Sequence, residues 1–350
     1  LSQTYTIVAS DLNACTPSAT TLPDYTYTGK EIKPDISGIT ITNTAGTVLK
    51  QDVDYKVQGY KNNINIADKS DADAPTVMIV GIGNYSGTIN LKFSIVTKSI
   101  SDNVTVEAIP DQMYTGDKIM PSLSLMYGDV VLKENTDYTL TYSNNVNPGR
   151  ATIAIEGIGA YSGTLTARFN IIGNLSNTSQ FTIGGYQTTY SLQANGTLQF
   201  SDAGISITYQ NQSNVDSSGN MNTMYLDSSN YEIQQYNCDR PGEGQLIFVG
   251  KNYCIGSQTI PIRVVGDLKN VEVINVNDQY DYTGKQIKPT PIVQFGSQVL
   301  EEGEDYTIEY GNNVDVGTNS GSIVIRQVSG TDTYYTGAKT ARFNIYYNLS

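Results

Sequence analysis

Tyr27-Thr28-Gly29-Lys30-Glu31-Ile32-Lys33-Pro34 returns as Tyr114-Thr115-Gly116-Asp117-Lys118-Ile119-Met120-Pro121, and again as Tyr282-Thr283-Gly284-Lys285-Gln286-Ile287-Lys288-Pro289. An internal repeat fixes the architecture before any single residue is weighed. The first interval is 87 residues and the second 168, about twice as long, so a fourth unit with a degenerate opening is expected between them. A second phrase gives the same count: Asp54-Tyr55 with Asn62-Asn63, Asp137-Tyr138 with Asn144-Asn145, Asn230-Tyr231 with Asn237-Cys238, and Asp305-Tyr306 with Asn312-Asn313. A third runs Gly81-Ile82-Gly83-Asn84-Tyr85-Ser86-Gly87-Thr88 and Gly157-Ile158-Gly159-Ala160-Tyr161-Ser162-Gly163-Thr164, echoed by Tyr253-Cys254-Ile255-Gly256 and Tyr335-Thr336-Gly337. Each unit closes on a short apolar alternation: Phe93-Ser94-Ile95, Phe169-Asn170-Ile171, Ile262-Arg263-Val264 and Phe343-Asn344-Ile345. Four repeats follow, at 1–97, 98–173, 174–266 and 267–350. A unit of this length can bury its own small core, unlike a solenoid repeat of about 20–45 residues.

The period inside each unit is two. Tyr138-Thr139-Leu140-Thr141-Tyr142 and Tyr306-Thr307-Ile308-Glu309-Tyr310 set apolar and polar groups on opposite faces, as a half-buried strand requires. Turn chemistry separates the runs, as in Asn144-Asn145-Val146-Asn147-Pro148-Gly149. No window carries a helical period. Several short strands per unit, rich in Tyr, Val, Ile and Thr, point to an all-β chain of four tandem immunoglobulin-like antiparallel β-sandwich domains in an elongated array. The Gly of each Tyr-Ser-Gly reads as turn punctuation, and the Asp of Asp-Tyr as an acceptor for nearby amides at a strand entrance. Linkers such as Ile172-Gly173-Asn174-Leu175 are short and not Gly/Ser-repetitive, which restricts the angle between neighbours.

The third repeat departs from the others. It has Asn195-Gly196-Thr197-Leu198 for an opening, lacks the closing Phe, and carries a polar insert over residues 211–222. Specialised binding is sought there first, against the plainer reading of drift in a spacer.

The full pattern of Tyr-x-Gly-Lys, Asp-Tyr, Asn-Asn, Gly-x-Gly-Asn-Tyr-Ser-Gly-Thr and Phe-x-Ile resembles the tandem immunoglobulin-like modules of surface and secreted proteins of Gram-positive gut bacteria. Repeats one, two and four carry the resemblance, and repeat three only weakly. It implies a non-catalytic module of a long extracellular or cell-wall-attached protein, beside flanking domains that bind polymers or host surfaces. It supplies no ligand and no binding residue.

Charge and chemistry narrow the function. Lys+Arg 21 against Asp+Glu 34 gives a net charge of −13, which repels nucleic acid and anionic membrane. No stretch approaches the roughly 18 apolar residues of a membrane span. The chain opens at Leu1 without a signal segment and reads as part of something longer. His is absent, which removes the commonest general base and metal ligand, so the chain is read as not an enzyme. No cofactor is expected.

The acidic run Asp68, Asp71 and Asp73 offers hard oxygen ligands of the kind that suit Ca²⁺, with a solvated acidic loop as the plainer reading. Cys238 and Cys254 fall in one repeat, where a disulfide and two buried thiols both stay open, and Cys15 is the orphan. An intramolecular isopeptide bond would draw on Lys118, Asn170 and Glu156, or on Lys285 and Asn344, with surface lysines as the plainer reading. The leading expectation is a cell-surface stalk or adhesin segment that spaces or presents binding domains, its partner an extracellular polymer, host glycan or protein. The alternative is a polysaccharide-binding module using tyrosines outside the repeat-equivalent positions: Tyr209, Tyr225 and Tyr236 in the third repeat, and Tyr346 and Tyr347 after the last closing strand. Against it stands Trp 0, since Trp offers the largest stacking face.

Overall fold

The computed structural model describes residues 8–215, 217–330 and 333–348, and it is all-β. Among those residues the helical content is confined to the short 3-10 turns Leu12–Ala14, Ser228–Asn230 and Leu268–Asn270. No helix of the described residues is long and apolar enough to cross a membrane. The chain divides into two compact units, one of residues 1–109, 120–143 and 152–168, the other of residues 110–119, 144–151 and 169–350.

In the second unit the immunoglobulin-like strand plan is complete twice. The Asp-Tyr phrase of the fourth repeat opens strand Tyr306–Tyr310, which pairs with Gly317–Gln327, which pairs with the closing strand Ala338–Tyr346. The third repeat repeats the order with Tyr231–Tyr236, Gly242–Gly250 and Ser257–Asp267. These ladders are antiparallel. A short edge strand then lies parallel to each closing strand, Gln279–Asp281 in one and Thr189–Leu192 in the other, because the chain reaches it by a crossover and not by a hairpin. The smaller sheets are Glu272–Ile274, Ile292–Phe295 and Gln298–Val299, and Phe181–Gly184, Ser206–Val215 and Met221–Tyr225. The inward rows of both sheets form the core, with Val293, Ile323, Ile325 and Phe343 in the fourth repeat and Phe181, Ile207, Leu246 and Phe248 in the third, all buried.

The first unit uses the same parts. Tyr55–Lys61, Thr76–Gly81 and Thr88–Lys92 form its first repeat's ladder, and Tyr25–Thr26 runs parallel to Ile95–Val96. Leu12, Ile41, Val77, Ile79 and Phe93 are at or near zero exposure there. From the second repeat it takes Val104–Val106, Leu125–Tyr127 and Val130–Val131.

The repeated phrases are one hydrogen-bonded device. The carboxylates of Asp54, Asp137 and Asp305 accept from the amides of Lys50, Lys133 and Glu301, each four residues back, at 2.8, 2.8 and 2.9 Å. The following Tyr55, Tyr138 and Tyr306 are buried. The second tyrosine of each strand donates its hydroxyl to the proline carbonyl ending the opening phrase: Tyr60 to Pro34 at 3.4 Å, Tyr142 to Pro121 at 2.7 Å and Tyr310 to Pro289 at 3.0 Å. A bulge between Val57 and Gly59 accounts for the extra residue in the first of these spacings. Lastly, the buried Asn63, Asn145 and Asn313 donate Nδ2 to the carbonyls of Ile32, Ile119 and Ile287 at 2.9 to 3.0 Å, while those isoleucine amides donate back to the asparagine carbonyls.

Opening phrase, tyrosine and asparagine form one clamp. The third repeat lost all three members together: Gln235 stands for the tyrosine, Cys238 for the asparagine, and no Ile-x-Pro precedes them. A polar partner left behind without its mate would have been a buried cost.

Two of the expected repeat boundaries fall inside strands. Thr164–Asn174 runs past residue 173, and Gly173–Asn174 pairs in parallel with Cys254–Ile255 of the next repeat. Ser257–Asp267 does the same, Gly266–Asp267 pairing with Tyr335–Thr336. Glycine is required at each crossing. A Cβ at Gly173 would sit 2.7 Å from the Phe181 ring, and one at Gly266 would sit 2.9 Å from Pro241 and 3.1 Å from Tyr335.

Candidate functional site

The insert of the third repeat is a hairpin extension. In the second and fourth repeats the first hairpin strand ends on an aromatic followed at once by a glycine of positive φ, Tyr127-Gly128 and Phe295-Gly296. In the third repeat Tyr209 takes the aromatic position, but Gln210 follows it and the strand continues to Val215 before returning as Met221–Tyr225. Within the insert, residue 216 lies outside the described residues.

Period-two alternation carries inward residues along that strand. Ile207, Tyr209 and Asn211 are all buried. Beyond Tyr209 the extension leaves its own repeat's core and meets the opening phrase of the second repeat. The Tyr114 hydroxyl donates to the Gln210 carbonyl. The Gln212 amide donates to the Gly116 carbonyl at 3.0 Å, and Asn211 Nδ2 donates to Asn147 Oδ1 at 2.8 Å. Burial of a polar Asn211 is thus matched by a partner, as it must be.

Three rings fill the centre of this clasp. Tyr114 lies 5.5 Å from Phe181 and 5.5 Å from Tyr209, with Phe181 and Tyr209 5.7 Å apart. Burial, with a smaller contribution from Tyr209 and Asp117, pushes the Tyr114 hydroxyl up to about 12. Burial also raises Tyr209. The repeat-equivalent Tyr282 has no such cover: it is 40% exposed and meets the exposed Tyr347 edge-on at 5.0 Å.

The sequence-predicted binding tyrosines therefore separate. Tyr209 is a correction: it is 6% exposed and belongs to the clasp, because the strand that bears it is covered by the second repeat's opening phrase. Tyr225 and Tyr236 are exposed, at the ends of different sheets' strands. Tyr346 is half-buried with its hydroxyl 2.8 Å from Thr318 Oγ1.

Asp68, Asp71 and Asp73 do not converge. Asp68 accepts from the Ser70 amide and hydroxyl, which hold its carboxyl below the usual range, Asp71 accepts from the Asp68 amide, and the Asp73 carbonyl takes Asn62 Nδ2. Among the described residues no group of three or more His, Cys, Asp or Glu is placed to hold a metal ion. For the isopeptide bond, Lys118, Lys285 and Glu156 are exposed, while Asn170 donates to Asp111 and Asn344 accepts from the Asn319 amide.

Cys15, Cys238 and Cys254 are free buried thiols, so the Cys238–Cys254 pairing does not form. They face different neighbours: Cys238 Sγ lies by the Tyr236 carbonyl at 3.2 Å, and Cys254 lies against Gly173. Burial pushes Cys254 up to about 11. Iodoacetamide at pH 8 is expected to leave Cys254 unmodified in the native chain. Alkylation in denaturant without reductant should add three groups by intact mass, one per thiol, and a single addition would refute the free-thiol assignment.

One cleft of about 730 Å³ opens in the second unit, lined by the turns at Asn195-Gly196 and Asp239-Arg240 of the third repeat and by Gly296-Ser297-Gln298 of the fourth.

Neither a protein-family model nor a curated protein sequence matches the chain. Among solved structures it is similar to protocadherin gammaB7 EC3-6, at 12% identity over 94% of this chain and 99% of that one, TM-score 0.20. It is also similar to a chain of the Dpr2 Ig1-Ig2 complex with DIP-Theta Ig1-Ig3, at 10% identity over 72% and 99%, TM-score 0.26. Sidekick-1 immunoglobulin domains 1-5 give 9% identity over 95% and 81%, TM-score 0.20. Likenesses this distant carry no argument about function.

Proposed function

We propose that this chain is a non-catalytic extracellular segment of four tandem immunoglobulin-like domains, 1–97, 98–173, 174–266 and 267–350, that spaces or presents binding domains of a cell-surface protein. The observation that carries the reading is the way successive repeats are joined. Closing strands run on as the first strands of the next repeat through residues 173 and 266, and the Tyr114 clasp adds a second, buried attachment between the second and third repeats. Joints of this kind resist bending, which a spacer needs and a catalytic or small-ligand domain does not. The absence of His, the commonest general base, supports the non-catalytic part of the reading.

Solution scattering is expected to give a radius of gyration well above the ~20 Å of one compact 350-residue domain. A value near that figure would overturn the spacer reading. Binding of a surface polysaccharide, the second reading, is supported by the exposed Tyr225 and Tyr236 and by the Tyr282–Tyr347 pair.

A further inference from the structure

The cleft between the third and fourth repeats occupies the place that the clasp fills one repeat earlier. At the earlier junction the parts are the turn after the edge strand, Tyr114 to Gly116, the Asn147-Pro148 turn, and the hairpin that passes Tyr209. At the later junction the corresponding parts are the turn at Asn195-Gly196, the Arg240-Pro241 turn and the hairpin that ends at Phe295. The two proline turns share a backbone: Gly149 and Gly242, which follow the prolines, have φ of 145° and 144°. One difference separates the junctions. Gly296 reverses the chain directly after Phe295, with φ 55°, so no residues correspond to Gln210, Asn211 and Gln212, and the space they would take is the cleft.

We propose that this cleft binds an extended peptide segment, seated as residues 210–212 are seated at the earlier junction. There the occupant is extended backbone, held by one carbonyl acceptor, one amide donor and one side-chain amide. The cleft keeps matching chemistry for an incoming strand. Gln298 lines the cleft half-buried, and its Oε1, buried and without a hydrogen-bond partner, is an acceptor that rotation of the side-chain amide presents to a peptide N–H. Asn195 offers an amide, and Asp239 and Arg240 offer one charge of each sign at the rim, suited to a zwitterionic sequence. The volume falls in the range of about 300–1,000 Å³ typical of ligand sites. A saccharide fits less well, since the only aromatic in the lining, Phe295, is 4% exposed and packs edge-on against Tyr335, leaving no ring face for a sugar. This inference does not depend on the spacer reading.

The test is an unbiased library of displayed decapeptides selected on the whole chain, with counter-measurement on Ala194→Trp and Ser297→Trp, two exposed positions in the lining whose enlargement plugs the cleft. The selected peptides are expected to bind at least tenfold more weakly to either variant. They should also slow hydrogen exchange at residues 194–196, 239–241 and 295–298. Gln298→Leu, which removes the orphan acceptor while keeping an apolar side chain of similar size, should lower peptide affinity about tenfold without lowering the melting temperature of the free chain. The proposal is overturned by failure to enrich any peptide, by equal affinity for the open and plugged chains, or by protection elsewhere. Maltoheptaose or cellohexaose binding in the cleft in place of peptide would overturn the ligand class.

Discussion

Replacing Tyr114 by Ala is expected to destabilise the second compact unit by about 3–5 kcal/mol, the range for deleting a buried aromatic side chain. Tyr114 is 5% exposed, touches two rings and donates to the Gln210 carbonyl, so truncation leaves both a cavity and an orphaned acceptor. Tyr282→Ala is the internal control, because it removes the same residue from the same phrase where no following hairpin covers it. Its loss is confined to one exposed edge-on ring pair, worth about 0.5–1.5 kcal/mol. Urea unfolding of the two variants, with hydrogen exchange over residues 110–119 and 206–215, reads both effects. Equal destabilisation by the two substitutions would sink the clasp.

The same residue predicts a pH dependence. Its folded pKa of about 12 lies above the ordinary 10.0, so the folded state favours the neutral phenol. The stabilisation is therefore complete below pH 10 and is lost as pH rises from 10 towards 12. Tyr114→Phe, which keeps the ring and cannot ionise, should flatten the fall in stability over that window relative to the parent chain. An unchanged slope would mean that other groups carry the alkaline transition.

The repeat, its period-two strands and the role of Asp54, Asp137 and Asp305 were legible in the sequence because each is a local matter. A carboxylate that accepts an amide four residues away needs nothing from the rest of the fold. The clasp was not legible in the same way. Tyr114 and Gln210 are 96 positions apart and belong to different repeats, so the phrase around Tyr114 looks like those around Tyr27 and Tyr282.

A signal did exist. Set against Tyr127-Gly128 and Phe295-Gly296, the pair Tyr209-Gln210 lacks the glycine that turns the hairpin, which marks the insert as an extension of the strand and Tyr209 as a core residue. Cysteine positions left two alternatives open for the converse reason. Cys238 replaces a clamp asparagine and Cys254 replaces a serine of the turn phrase, and each inherits the neighbours of the residue it replaces, not the other's company.

Asn313→Ala is expected to cost the fourth repeat about 3–5 kcal/mol, the other large effect. Asn313 is fully buried, donates Nδ2 to the carbonyls of Ile287 and Ser322 at 3.0 Å each, and accepts the Ser322 amide at 2.7 Å. Truncation removes the partners of the Ile287 carbonyl and the Ser322 amide, at roughly 1–3 kcal/mol for each that stays unsatisfied, while the Ser322 carbonyl keeps the Gly311 amide at 3.0 Å. The residue also has φ 51°, a conformation that costs Ala about 1–2 kcal/mol and Gly little.

The two contributions can be separated. Asn313→Gly relieves the backbone strain but restores no hydrogen bond, so it should recover about 1 kcal/mol of the loss and no more. Asn312→Ala, one residue earlier, removes an exposed side chain whose bond is to Asp315, and should cost less than about 1 kcal/mol. Hydrogen exchange at residues 282–289 locates the damage, because the Ile287 segment is what the asparagine holds. If Asn313→Gly restored full stability, the hydrogen bonds would carry nothing, and the recurrence of Asn63, Asn145 and Asn313 would reduce to a turn preference. If both variants lost several kcal/mol and freed residues 282–289, the asparagine would be the pin that fixes the opening phrase to the sheet. That pin is absent from the third repeat, where a different opening turn lines the cleft to the fourth.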